Sequence, residues 1–251
     1  MKFKKILIDV ALSLLPIILL FAVWTIASNK IDSDFILPNV DTTIKSMWAL
    51  FCDGVFYRAL LSTIWRSLIA FLFSFVIAFI LAFLSSKYIY AKRVISPIIS
   101  IMRALPTIAI ALLLVFWTTN KIAPIIVTSL VVLPTLYTQL FSAFNGIDKD
   151  VVEMCYVFKL PKFVTLKKVI VPSVLPQVLL AVGSGISLNL KLMVAAEVLS
   201  STPNSLGYLL NDYKHYFALA FMLAIVCTIL LIGTIIELAF NFLSKRAGRN
   251  L

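Results

Sequence analysis

Of 251 residues, 62% are hydrophobic and 13% charged, whereas a soluble globular domain is roughly 45 to 50% apolar. The composition excludes a water-soluble domain and indicates a membrane protein. Net charge is +11, from 22 Lys and Arg against 11 Asp and Glu. Those cations are spread between apolar runs, which is the pattern of membrane topology and argues against a nucleic-acid partner. Cys52, Cys155 and Cys227 are odd in number and widely spaced, so they define neither a disulfide framework nor a thiolate metal site. His215, the single histidine, cannot build a zinc centre with so few acids and reads as an interfacial side chain.

Six stretches carry no Asp, Glu, Lys or Arg: 10–29, 67–86, 104–120, 122–147, 169–190 and 215–236. A bilayer core about 30 Å thick needs about 20 helical residues, and the backbone must satisfy its own hydrogen bonds there, as a helix does. The predicted fold class is therefore all-α, with six transmembrane helices. The first run follows Lys2, Lys4 and Lys5. Its apolar part exceeds the roughly 7 to 15 residues of a signal peptide's apolar core, and Ala27-Ser28-Asn29 lacks a convincing cleavage pattern, so a retained helix is expected. Pro16 in its middle can kink it.

After this run, Ile44, Met47, Trp48 and Phe51 fall at helical spacing and predict a short interfacial helix within 30–58. Trp24, Trp48, Trp65 and Trp117 read as anchors at the membrane surfaces. With the N-terminus inside, segments 1–5, 87–93, 145–168 and 245–251 hold 14 of the 22 basic residues, against five in the outer segments. The positive-inside rule thus puts both termini in the cytoplasm. No linker, charge block or repeat divides the chain, so residues 1–251 are expected to form a single membrane domain.

The inner segment 145–171 holds the most information. Gly146 can end the preceding helix, Asp148 or Asp150 can cap a new one, and Asp150 with Glu153 has capping-box spacing. Val152, Tyr156 and Lys159 fall on one side of that helix and Val151, Cys155 and Phe158 on another. Both sides carry apolar groups, yet only one can rest on the membrane domain, so the other needs a partner. Leu160-Pro161 stops the helix, and Phe163, Leu166, Val169 and Ile170 begin a second one running towards Pro172.

Here the sequence resembles the integral membrane subunits of binding-protein-dependent ABC importers, whose inner loop carries Glu-Ala-Ala, three residues, Gly, and later Leu-Pro. Glu153-Met154-Cys155 stands at Glu-Ala-Ala, Lys159 replaces the Gly, and Val171-Pro172 with Leu175-Pro176 follows. Phe35-Ile36-Leu37-Pro38, Arg103-Ala104-Leu105-Pro106, Val194-Ala195-Ala196-Glu197 and Ser205-Leu206-Gly207-Tyr208 extend the resemblance over about 35–240. Their order is similar to the nitrate, sulfonate, taurine and bicarbonate branch, which also has vitamin-precursor relatives.

The resemblance implies a type I importer permease in a bacterial cytoplasmic membrane. Its coupling helix would dock on a separate ATPase through Gly146, Asp150, Glu153, Met154, Cys155, Phe158, Lys159, Leu160 and Pro161. It further implies two permease copies, two ATPase subunits and an extracytoplasmic substrate-binding protein. The chain has no Gly-x-x-x-x-Gly-Lys-Ser/Thr phosphate loop. It is therefore expected to carry no cofactor and no catalysis, with ATP and Mg²⁺ on the partner. Gly normally permits the sharp turn at the Lys159 position, so Pro161 is expected to help make the break.

A charge at mid-bilayer costs about 2.5 to 3.5 kcal/mol, so each one in a span demands a partner or a wet cavity. Arg103, Asn189, Lys191 and Glu197 are candidates for the substrate pathway, where positive charge suits an anion such as a sulfonate, taurine or nitrate. A thiamine-type pyrimidine or other vitamin precursor is the alternative cargo. Lys191 and Glu197 are about 240° apart around one helix and cannot pair along it. Arg66 and Glu237 lie near span ends, where snorkelling serves. Gly183, Ser184, Gly185, Ser187 and Asn189 make one side of the fifth helix small and polar, suited to close packing or a wet pathway. An ion-coupled transporter using Glu197 and Glu237 is a further reading, though no inverted repeat supports it.

Overall fold

The computed structural model describes residues 2–31, 33–147 and 149–248, and the side chains of all of these except 2–14, 17, 149, 152 and 156. Among the described residues every regular element is helical. In chain order they are α1 (Lys2–Ile31), α2 (Val40–Phe51), α3 (Gly54–Lys87), α4 (Ile89–Ala104), α5 (Thr107–Trp117) and α6 (Ala123–Asn145). There follow α7 (Lys149–Val157), α8 (Lys162–Thr165), a π-helical turn at Leu166–Ile170, α9 (Val171–Ser200), α10 (Leu206–His215) and α11 (Leu219–Gly248).

Four of these stretches are long and apolar enough to cross a bilayer by themselves: α3, α6, Lys162–Ser200 and α11. The third expected span, 104–120, is not one straight rod. It holds the 11-residue α5, which follows α4 across a bend of 89°. Pro106 cannot donate a backbone hydrogen bond and its ring drives Leu105 out of the helical region, to φ −65° and ψ 128°. Residues 89–93, placed by the sequence in an inner connection, are part of the helix α4. In α1 the helix runs through Pro16, and Ile18–Ile31 is a shorter apolar stretch; the start of the 10–29 run lies where side chains are outside the described set.

The fifth span also departs from the sequence reading. Phe163 to Ile170 do not form a separate inner helix but the beginning of one rod, Lys162–Ser200. Pro172 supplies the reason: it offers no N–H to the carbonyl of residue 168 and crowds it, and the backbone widens into the π turn just before it. The rod continues past Lys191 to Ser200, because the buried residues of its last turns, Met193, Val194, Ala196 and Glu197, find partners within the protein.

By internal packing the chain falls into two units, Met1–Tyr57 with Leu209–Thr228, and Arg58–Tyr208 with Ile229–Leu251. In the first, the Trp24 indole donates to the Pro38 carbonyl at 3.0 Å and ties α1 to the approach of α2. The predicted interfacial helix is α2. It turns Thr43, Ser46 and Leu50 inward and leaves Ile44 and Trp48 exposed, as a helix lying against lipid requires. Tyr213 stacks on Phe221 at 5.0 Å.

The second unit holds the main core, where Phe71, Ala78 and Ala82 of α3 meet Ile99 of α4, Val132, Leu136 and Leu140 of α6 and Ala181 of α9. Small residues bring the rods together. A side chain at Gly183 would meet Phe240 of α11, and one at Gly185 would meet Leu136 and Phe71. Gly183 and Gly185 thus serve close helix packing.

Candidate functional site

The coupling segment is built from a helix end, a helix and a left-handed turn. Gly146 terminates α6, its N–H donating to the Ser142 carbonyl at 2.9 Å. Its φ of −78° is open to any residue, so what favours glycine here is space: a Cβ would lie 3.2 Å from that same oxygen and 3.4 Å from Gln177 Nε2. Because α7 begins at Lys149, Asp150 sits in the first turn rather than at the cap, where its charge favours the helix dipole. Asp148, the other capping candidate, lies outside the described residues, as do the side chains of Val152 and Tyr156.

The two sides of α7 differ sharply. Cys155 is buried, whereas Val151, Glu153, Met154, Val157 and Phe158 are exposed, Phe158 by 70% and Val157 by 77%. Of the side on which the sequence placed Val151, Cys155 and Phe158 together, only Cys155 is buried, so the unpartnered apolar surface includes Val151 and Phe158. The helix ends in a Schellman-type turn: Lys159 has φ 52°, and the Leu160 N–H returns to the Cys155 carbonyl at 3.0 Å. Lysine thus adopts the left-handed conformation for which glycine is normally used. Pro161 does not make this break but starts the next element, its carbonyl accepting from the Val164 and Thr165 amides.

The four intramembrane candidates separate into two pairs. Asn189 and Glu197 are fully buried. The Asn189 amide donates to the Ser67 carbonyl and hydroxyl at 2.7 and 2.6 Å, joining α9 to α3. Glu197 accepts from Arg66 Nη1 and Thr63 Oγ1, both at 2.8 Å, and from the Gly207 amide at 3.4 Å. This corrects two expectations. Glu197 lines no accessible pathway in this structure, and Arg66 does not snorkel: its other guanidinium nitrogen donates to Ser62 Oγ and to the carbonyls of Pro203 and Asn204.

This ion pair holds the end of α9 against the start of α10. Ser201, at φ 47°, closes α9 while Thr202 N–H reaches back to the Glu197 carbonyl at 3.1 Å. A Cβ at Gly207 would stand 2.4 Å from Glu197 Cβ and 2.5 Å from the Val198 nitrogen, so only glycine allows this approach. Arg103 and Lys191, by contrast, are exposed. Arg103 Nη2 and Thr138 Oγ1 both donate to the Pro134 carbonyl, at 3.3 and 2.8 Å, and Ser184 Oγ bonds Gln139 Oε1 at 3.3 Å. These α6 hydroxyl and amide groups escaped the sequence reading because Thr and Gln inside an apolar run carry no charge to flag them. Thr63 and Ser67 escaped it for the same reason.

Residues 74–249 match the family described as binding-protein-dependent transport system inner membrane component. The putative aliphatic sulfonates transport permease protein SsuC of Escherichia coli (strain K12) is 28% identical over 96% of this chain and 92% of its own length. The taurine transport system permease protein TauC of the same organism is 21% identical over 91% and 85%. The riboflavin transport system permease protein RibX of Chloroflexus aurantiacus is 27% identical over 79% and 74%. Among solved structures, the inward-facing MetNI methionine ABC transporter superposes with a TM-score of 0.64 at 16% identity, over 76% of this chain and 95% of that one, a likeness of fold. The chain therefore belongs to the binding-protein-dependent transport system inner membrane components: it is a multi-pass permease of an ABC importer, working with a substrate-binding protein and with an ATPase subunit that hydrolyses the ATP.

Proposed function

We propose that this permease forms the pathway for a small anion, in the first place a sulfonate, and that α7 is the peg through which a cytoplasmic ATPase moves it. The observation that carries the coupling is the exposed side of α7, where Glu153 stands beside Met154, Val157 and Phe158 on a helix closed by the Lys159 turn. An apolar side this exposed, outside the spans, calls for a protein partner. In this reading two copies of the chain enclose the pathway, both termini are cytoplasmic, and ATP and Mg²⁺ are held by the ATPase. Nucleotide-driven closure shifts α7 and rocks the spans between inward- and outward-open states.

Sulfonate is favoured by the relatives named for aliphatic sulfonates and taurine, and by the two exposed cations, Arg103 and Lys191, within an otherwise apolar region. The riboflavin-named relative keeps a vitamin-type heterocycle as the second reading.

Both parts are tested in vesicles holding the permease, its ATPase and its binding protein. Glu153→Arg is expected to leave the chain inserted while ATPase copurification and uptake fall; wild-type values for both reject the coupling role. Uptake of a labelled alkanesulfonate but not of riboflavin supports the anion reading, and the reverse result replaces it with the second.

A further inference from the structure

We propose that the groove between the C-terminal ends of α3 and α6, the first turns of α9 and the α7–α8 turn binds one anionic phospholipid. The groove encloses about 780 Å³. Phe79, Phe83, Phe144, Leu166, Val171 and Leu175 make its walls, while Lys87 and Lys162 are the charged groups among the described residues that line it, with no acid among them. From Lys87 back to Phe79 it follows α3 for eight residues, about 12 Å of helix, a depth that suits part of an acyl chain.

The two lysines stand at helix limits. Lys87 is the last residue of α3, with Nζ 5.4 Å from the Tyr88 ring centre, and Lys162 is the first of α8. Helix ends flanked by a tyrosine and lysines mark the headgroup level of a bilayer, so the cations sit where a lipid phosphate would be and the aromatic walls where its tails would be. Basic pockets between transmembrane helices favour anionic headgroups. The groove is distinct from the side of α7 proposed to meet the ATPase: of the coupling segment it takes Cys155, which is buried, and Leu160 beyond the helix end, whereas the exposed Met154, Val157 and Phe158 are absent from the lining.

The permease with its ATPase, reconstituted in phosphatidylcholine with added phosphatidylglycerol, is gently delipidated and the retained lipid identified by native mass spectrometry. Phosphatidylglycerol is expected to persist over phosphatidylcholine. Lys87→Gln and Lys162→Gln should each weaken its retention about fivefold, and together about thirtyfold. Leu175→Trp fills the groove with both lysines intact and should abolish retention, whereas Lys168→Gln, outside the lining, should leave it unchanged. Equal retention of the two lipids, wild-type retention in the double variant or in Leu175→Trp, or an equal loss in Lys168→Gln would overturn the proposal.

Discussion

Glu197→Gln isolates the charge of the buried pair, because the amide keeps the shape of the carboxylate and an oxygen for Thr63. Glu197 has no exposed surface and Arg66 only 9%, so neither charge is relieved by solvent. Removing one partner from such a pair costs about 3 to 5 kcal/mol, since the other is left buried and uncompensated. Arg66→Met should cost a similar amount, and it also frees the Pro203 and Asn204 carbonyls that Nη2 holds at 3.4 and 3.2 Å. In the double variant no charge is orphaned, so its loss should fall short of the two single losses added together by about 2 to 3 kcal/mol. Denaturant unfolding of the permease–ATPase complex in detergent, run as a double-mutant cycle, measures this. Strictly additive losses, or single losses under about 1 kcal/mol as for exposed pairs, would refute the reading of Arg66 and Glu197 as one sealed unit.

Two smaller effects follow from the turns. Left-handed backbone costs a residue with a side chain about 1 to 2 kcal/mol, and glycine returns about 0.5 to 1 of this through its freer unfolded chain. Lys159→Gly should therefore stabilise the α7 turn modestly, seen as slower hydrogen exchange at the Leu160 amide that closes it; faster exchange would count against the Schellman assignment. In α10, burial first, then Asp53 and Asp212, raise the Tyr213 phenol above its ordinary value of 10.0. The unfolded chain then loses this proton before the folded one does, so stability falls as pH rises from about 10 through the folded value. Tyr213→Phe should flatten that loss in unfolding curves taken across this range, and an unchanged slope would dismiss the contribution.

The spans were legible because their cause is local. A backbone in hydrocarbon must bond to itself, which makes the crossing segment a helix, and a charged side chain is costly there, so long uncharged runs mark the crossings. The short inner helix after Gly146 was legible for a similar reason, but its stop was assigned to Pro161, whereas the left-handed Lys159 makes it. The bend at Pro106 was written in Leu105-Pro106, but proline alone does not distinguish a kink from an 89° break. Pro134 and Pro176, which sit inside continuous helices, make the point.

Partner choice was not legible. Arg66 and Glu197 are 131 residues apart, and Asn189 and Ser67 are 122 apart. Sequence alone required that each buried charge or amide find a counterpart, because an unpaired one in an apolar medium is too costly. Which counterpart it found depended on how α3, α9 and the segment leading into α10 pack, and that packing turns on close approaches such as Gly207 against Glu197. Tertiary structure therefore decided that Glu197 is a sealed brace while Arg103 and Lys191 stay exposed: the energy of a charge in a membrane is set by what lies within a few ångströms of it, and those neighbours come from distant parts of the chain.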